Sequence, residues 1–351
     1  MDLTSIEKAL RGESVQSAKG NFSAKDVNDQ AIADMFKELG FDANTKISQY
    51  RTKREAAFEI ISEALDEMLP KDLTDVLGGY AEVKTYARNA EVEFEIKGTG
   101  KRRARLTIQK GARGGIYRAA RLDGRYMGLD TEVWTVGLYV TLEDILSGDI
   151  TLAELYQNIL VGFEDKVFEA TVAALRTAES LAPGSHVFTA AGFDGDVLDK
   201  AIAVAGAYGD QIVVIGFQSF VNKINNMQTF AKGGVDASQN IGPQDALDVR
   251  AYGFVQAYKG TVVVKLPNYI LKEGTNYDGI QWAFKENELF VLPGAAKPVK
   301  IALKGDMYIQ DDKNPDGSEN WNAHKLMGVG LLLADNVCIV KDTTITANGA
   351  Y

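Results

Sequence analysis

Three alternating glutamates, Glu91, Glu93 and Glu95, stand before Gly98-Thr99-Gly100, and Arg102, Arg103 and Arg105 follow it. Carboxylates two residues apart share one face of a strand, so the cluster has a spacing that acid/base chemistry could use. The arginines argue for a different role. Folding 91–109 about a three-residue loop, with Gly100 supplying the positive φ such loops want, sets Glu95 opposite Arg103 and Glu93 opposite Arg105. Phe94 then meets Ala104 and Val92 meets Leu106 on the other face. Opposite charges across two strands contribute roughly 0.2–1 kcal/mol per pair. The stretch reads as an amphipathic hairpin whose glutamates are ion-paired, not as a catalytic pair.

The other chemistry-bearing residues are few. Two histidines, His186 and His324, and one cysteine, Cys338, leave little material for a nucleophilic triad or a structural zinc site. Cys338 sits in the strand-like run "NVCIVK" and reads as a buried small hydrophobe. A lone cysteine also excludes an internal disulfide and fits a reducing compartment. No GxGxxG follows a strand and no GxxxxGK[ST] occurs, so nucleotide-binding signatures are missing. "DKNPDGSENWNA", 312–323, imitates the start of an EF-hand loop. Its twelfth position is Ala323 where a bidentate Glu is required, and Pro315 intrudes, so a turn between strands is the better reading. Catalytic, cofactor and metal sites are all expected to be absent.

Charge is the strongest global signal. Residues 97–125 hold ten Lys/Arg against Asp123 alone, a balance of +9 in a chain of −10, so the remainder carries −19. A chain split this way can bind copies of itself, arm to body, or nucleic acid through the arm. Nucleic-acid binding calls for aromatics among the basic residues, and only Tyr117 and Tyr126 qualify. The N-terminus lacks a basic region followed by an apolar one, and the longest apolar run, 326–334, is far short of the roughly 20 residues that span a bilayer. The sequence therefore reads as that of a soluble protein made in the cytoplasm, with no membrane partner.

The elements that must position these residues follow in order, an α+β mixture. Residues 1–80 are polar and helix-leaning, with one helix over 26–39 ended by Gly40 and another near 52–69 stopped by Pro70. They read as an N-terminal arm that packs on other subunits. The hairpin and its glycine-punctuated basic return occupy 81–130, and a strand covers 131–141. Thr151 and Glu154 form a capping box for a helix to about 180, with apolar residues at 152, 155, 159, 163, 167, 170 and 174. It closes a unit at 131–186. A helix over 193–209, the buried strand "QIVVIGF", a helix at "QSFVNKINNM" and strands at "FVQAYKGTVVVKL" and "NELFVL" suggest a compact α/β unit over 187–295. Residues 296–351 return as strands.

That order resembles the HK97-like major capsid proteins of tailed bacteriophages. "EVEFEIKGTGKRRARLTIQ" matches the family's extended loop, and "TLAELYQNILVGFEDKVFEATVAALRTAES" its spine helix. "QIVVIGFQSFVNKI" is similar to part of its axial domain, and the stretch from "ENELFVL" to "NVCIV" to its returning peripheral strands. The resemblance implies a non-enzymatic virion protein that self-assembles into the icosahedral head shell, with hexamers and pentamers built by each extended loop reaching over the adjacent subunit. Glu93, Glu95, Arg102, Arg103, Arg105, Arg113, Arg118 and Arg121 are then inter-subunit contact residues. Implied partners are other copies of the chain, scaffolding, portal and decoration proteins, and double-stranded DNA enclosed without sequence-specific binding. Two other readings stay open: an encapsulin-type compartment around protein cargo, and a nucleic-acid-binding protein that uses 97–125.

Overall fold

The computed structural model describes residues 47–96, 125–141, 152–192, 195–228, 256–272, 281–313 and 318–345. Helix α1, Ile47–Leu77, presents Phe58, Ile61, Leu65, Leu69, Leu73 and Leu77 as one buried stripe at steps of three and four. The helix does not stop at Pro70; it runs two further turns beyond it. An interior proline costs about 3 kcal/mol, but Leu73 and Leu77 lie beyond it, and each buried leucine contributes roughly 1.5–3 kcal/mol. The Thr74 hydroxyl donates to the Pro70 carbonyl at 2.6 Å. This stripe packs in the chain's own core with α2 and the four-stranded sheet described below, so residues 58–77 are body where an arm was expected. The expected helix over 26–39 lies outside the described residues.

Strands β1 (Ala81–Tyr86), β4 (Glu132–Thr141), β12 (Val299–Lys313) and β13 (Ser318–Leu331) form a sheet in the order β1-β12-β13-β4. Only β1–β12 is parallel. Helix α2, Leu152–Leu181, lies against it beside α1. Its 30 residues span about 45 Å at 1.5 Å per residue. Ile159, Phe163, Val167 and Ala174 of the expected stripe are buried, Ala170 is half-buried, and Phe168, Thr171, Leu175 and Ala178 widen it. The widening follows from α2 having both α1 and strands of two sheets as neighbours. Thr151, the expected cap, lies outside the described residues.

Between Lys304 and Tyr308, β12 advances four residues while β13 advances two, from Leu326 to His324. Such a bulge takes backbone groups out of the ladder. Here the freed Met307 N–H donates to the Asp66 carboxylate of α1 at 2.7 Å. The Lys325 ammonium pairs with Asp66 and donates to the Gly305 carbonyl. Gly305 turns the chain at φ +65°, a conformation that favours glycine. Thus one carboxylate joins helix, bulge and neighbouring strand.

A second sheet has the order β5-β14-β11-β6-β8-β7, built from β5 (Val187–Ala190), β6 (Ile212–Gly216), β7 (Ala257–Tyr258), β8 (Thr261–Lys265), β11 (Glu288–Pro293) and β14 (Cys338–Asp342). Helices α3 (Gly195–Gly206) and α4 (Gln218–Gln228) pack against it around Leu198, Phe220, Val221 and Ile224. Within the strand-like stretch 254–266, β7 and β8 are joined by a turn at Lys259-Gly260, φ 47° and 82°. Strands β9 (Ile270–Lys272) and β10 (Gln281–Trp282) pair separately. Strand β14, expected among the returning strands of 296–351, sits between β11 and β5 in this sheet. Its apolar residues Cys338, Ile339 and Val340 are all buried, as an interior position requires. Asp342 ends it, fully buried, with Lys223 of α4 at 2.5 Å and hydrogen bonds from Thr344 and Gly192. Burial raises its carboxyl, but the Lys223 and Thr344 hydrogen bonds outweigh that and hold it far below the ordinary carboxylate range.

Asp66→Ala should cost about 3 kcal/mol of unfolding free energy, because it strands a buried lysine and a backbone N–H. The double variant Asp66→Leu/Lys325→Met should cost less than Asp66→Ala alone. Denaturant unfolding of the three chains checks both statements.

Candidate assembly interface

Strand β2, Glu93–Ile96, alternates outward glutamates with buried Phe94 and Ile96. Its described partner is β3, Arg125–Gly128, in antiparallel register: Glu93 with Gly128, Phe94 with Met127, Glu95 with Tyr126 and Ile96 with Arg125. A three-residue loop was expected to place Arg105 and Arg103 opposite the two glutamates; the pairing described for β2 is with β3, and residues 97–124 connect the two strands. Arg102, Arg103, Arg105, Arg113, Arg118 and Arg121 lie outside the described residues, as does the Gly98-Thr99-Gly100 turn. Glu93 and Glu95 are described and exposed.

The root of this loop is clamped on the outer face of the four-stranded sheet. Phe94 is fully buried against Ala302 with Val92, Tyr86, Leu129 and Leu332 around it. The Tyr86 ring meets Phe94 edge-on at 5.9 Å, and its hydroxyl donates to the Glu93 carbonyl at 2.6 Å. Lys84 and Lys300 stand over the Phe94 ring, 5.1 and 5.8 Å from its centre, a cation–π arrangement. Both ammonium groups also pair with Glu82. Burial pushes the Glu82 carboxyl up, but hydrogen bonds from Lys300 and Lys84 overcome it and hold it below the ordinary range. The stretch after β3 crosses β13 so closely that a Cβ on Gly328 would come within 2.3 Å of the Asp130 carbonyl, and one on Gly330 within 2.6 Å of Leu129. Phe94 and Val92 were expected as an apolar face, but Glu82, Lys84, Lys300 and Ala302 did not stand out in the sequence. The available signal was the pair of glycines in "LMGVGLLL".

Beside the root lies a cleft of about 450 Å³ lined by Glu82, Lys84, Glu95, Lys297 and Lys300 among others. Its mixed charges give it no single-sign field for an anion. His186 is buried with its Nε2 3.3 Å from the Tyr208 hydroxyl, and His324 lies 2.7 Å from Thr135 Oγ1 and stacks on Tyr308. Burial pushes the Cys338 thiol up to about 12, which fits an inert core residue. Of the EF-hand-like stretch, residues 314–317 lie outside the described residues, and Ala323 is buried within β13. Among the described residues no cluster of three or more His, Cys, Asp or Glu side chains is placed to hold a metal. No described helix is long and apolar enough to cross a membrane.

Acidic side chains of α1 and α2 meet between the two helices. Burial, then the charges of Asp72 and Asp165, raise the Glu164 carboxyl to about 7. Burial and Asp75 likewise raise Asp72. Between an unfolded value near 4.5 and the folded value near 7, the folded chain holds a proton that the unfolded chain has released. Stability therefore falls as pH rises through that window. Glu164→Gln should raise the denaturation midpoint at pH 8 and leave it unchanged at pH 4, which a pair of thermal melts would check.

A profile of the family described as "SPbeta prophage-derived putative capsid protein YonB" matches residues 8–341. Among solved structures, a chain of the satellite phage P4 procapsid including size determination (Sid) protein aligns with a TM-score of 0.51 at 10% identity, over 85% of this chain and 98% of that one. A chain of the bacteriophage PhiM1 mature capsid aligns at 14% identity and TM-score 0.45, over 76% of this chain and 87% of that one. A chain of the virus-like particle from Pyrococcus furiosus aligns at 11% and 0.42, over 81% and 99%. A comparison with curated proteins finds no significant match. With the profile running through nearly its whole length, the chain belongs to the YonB family of prophage-derived capsid proteins, and its architecture is the HK97-like fold of a shell-forming major capsid protein.

Proposed function

We propose that the subunits close into an icosahedral phage head through head-to-tail overlap, the segment 97–125 of each subunit docking on the acidic body of the next. The observation that carries this reading is the clamped loop root. Phe94, Lys84, Lys300 and Glu82 hold the two strands that lead into and out of a +9 segment. The rest of the chain carries −19. An arm on one surface and its acceptor on another make a heterologous contact, and such contacts close into rings when the rotation permits. Hexamers and pentamers are the rings a closed shell needs. Glu93 and Glu95, exposed at the root, align with Arg102, Arg103, Arg105, Arg113, Arg118 and Arg121 as contact residues of the same seam.

Assembly in the host cytoplasm, with scaffolding, portal and decoration proteins as further partners, is the setting this reading implies. The acidic body also favours a shell that encloses double-stranded DNA without gripping it, because like charge opposes counterion-release binding. Phage head and protein-filled compartment share one architecture, so their contents distinguish them.

Reversing Arg102, Arg103 and Arg105 to Glu should abolish shell formation at physiological salt while leaving a folded subunit. High salt should weaken assembly of the unaltered chain, since exposed charge pairs are screened within about 8–10 Å near physiological ionic strength. Sedimentation across a salt series reads both. Unimpaired shells from the reversed variant at every salt would overturn the docking reading.

A further inference from the structure

Strand β4 is an edge of the four-stranded sheet, and among the described residues no strand pairs with its outer side. It is ten residues long and reads "EVWTVGLYVT", with one charge at its start and neither lysine nor proline. Edges of that length are ordinarily blunted by charge, proline or bulges, because an open edge recruits another strand. The opposite edge, β1, follows the rule: it is six residues long and carries Glu82 and Lys84. β4 does not, and the order of its own residues says what it accepts.

The apolar residues of β4 are arranged symmetrically about Val136. On the helix side, half-buried Trp134 and Leu138 flank half-buried Val136 at the margin of the core. On the other face, Val133 is 57% exposed and Tyr139 is 59% exposed, one on either side of exposed Thr135 and Gly137. Antiparallel strands oppose residues whose numbers share one sum, and opposed side chains lie on the same face. A second β4 laid with Val136 opposite Val136 therefore sets Trp134 against Leu138 and Val133 against Tyr139. Every apolar side chain meets an apolar one, and aromatic–aliphatic pairs of this kind stabilise neighbouring strands. Glu132 falls opposite position 140, so like charges do not meet. Moving the axis by one residue breaks the match: about 135, Glu132 opposes Leu138, and about 137, Tyr139 opposes Thr135. Helix α2 follows the same seam. A Cβ on Gly162 would come within 3.1 Å of the Val136 side chain, and the adjacent Val161 is 51% exposed. A two-fold axis normal to the sheet keeps the α2 helices of both copies on one side of it.

We propose that β4 pairs antiparallel with β4 of a second copy about a two-fold axis at Val136, so that the two four-stranded sheets become one. This rests on the shell-forming reading and adds a contact of different symmetry. Head-to-tail contacts close subunits into rings, whereas an isologous two-fold contact ties one ring to the next. The backbone ladder supplies the attraction, and the symmetric side-chain pattern sets the register.

Thiol cross-linking of assembled particles tests it. Val133→Cys is combined with Tyr139→Cys in one chain, and Thr85→Cys, on the opposite edge, replaces Tyr139→Cys in the control. Within one chain 133 and 139 are about 20 Å apart at roughly 3.3 Å per residue, too far for a short bis-maleimide. Cys338 is buried and stays silent. The expected result is an inter-chain dimer at least several-fold stronger than in the control, with peptide mapping that joins 133 to 139. A second variant, Val133→Lys/Tyr139→Lys, changes two exposed positions. It should keep the subunit's thermal midpoint and stop assembly at free rings, seen by electron microscopy. Cross-links no stronger than the control, cross-links that join 133 only to 133, or undiminished shells from the lysine variant overturn the two-fold pairing while the shell reading stands. Failure of the unaltered chain to form particles would overturn both.

Discussion

The Asp66 carboxylate holds the subunit's main layers in place. It accepts the Met307 N–H that the β12 bulge removes from the ladder and pairs with the ammonium of Lys325 on β13. A bulge that is not satisfied leaves a buried donor, and a buried lysine without a carboxylate is worse. The same residue lies on α1, four positions before Pro70, in the stripe-bearing helix that covers the sheet. Helix position, strand bend and proline tolerance are therefore linked. The apolar stripe supplies the free energy that carries the helix through the proline, and Asp66 fixes its placement along the strands.

The bulge also divides the outer face of the sheet into two territories. On one side of it Ala302 and Lys300 are covered by Phe94 and its neighbours, forming the platform on which the strands flanking residues 97–124 are rooted. On the other side exposed Tyr308 stacks on half-buried His324 beside β4. A rigid root is what the proposed head-to-tail assembly needs. The strand leads and close glycine contacts fix where residues 97–124 leave the sheet. Charge adds long-range attraction to that geometry, and the short-range fit would give register.

Much of this was legible where the signal was local and periodic. The α2 helix was readable from its apolar steps, and the strand–helix "QIVVIGFQSFVNKI" from its apolar run and turn residues. Cys338 as a core residue followed from its setting. What escaped depends on contacts distant in sequence. Pro70 ends a helix by every local rule, and only the burial of Leu73 and Leu77 against the sheet reverses that. That β2 pairs with a strand past residue 124 had no local signal, because Phe94 is committed to Ala302 more than two hundred residues away. β14 resembles the strands it follows, but its three consecutive buried residues fit an interior strand between β11 and β5. The clamp of Glu82, Lys84 and Lys300 was invisible for the same reason, since no short window contains it.

The central claim is that this chain is the wall of a closed shell. Electron microscopy of the purified protein, with size-exclusion chromatography and light scattering on the same sample, tests it most directly. The account predicts closed particles tens of nanometres across, an order of magnitude set by packing many domains of this size, that contain DNA when recovered from a producing host. A stable monomer or dimer at every salt concentration would contradict it.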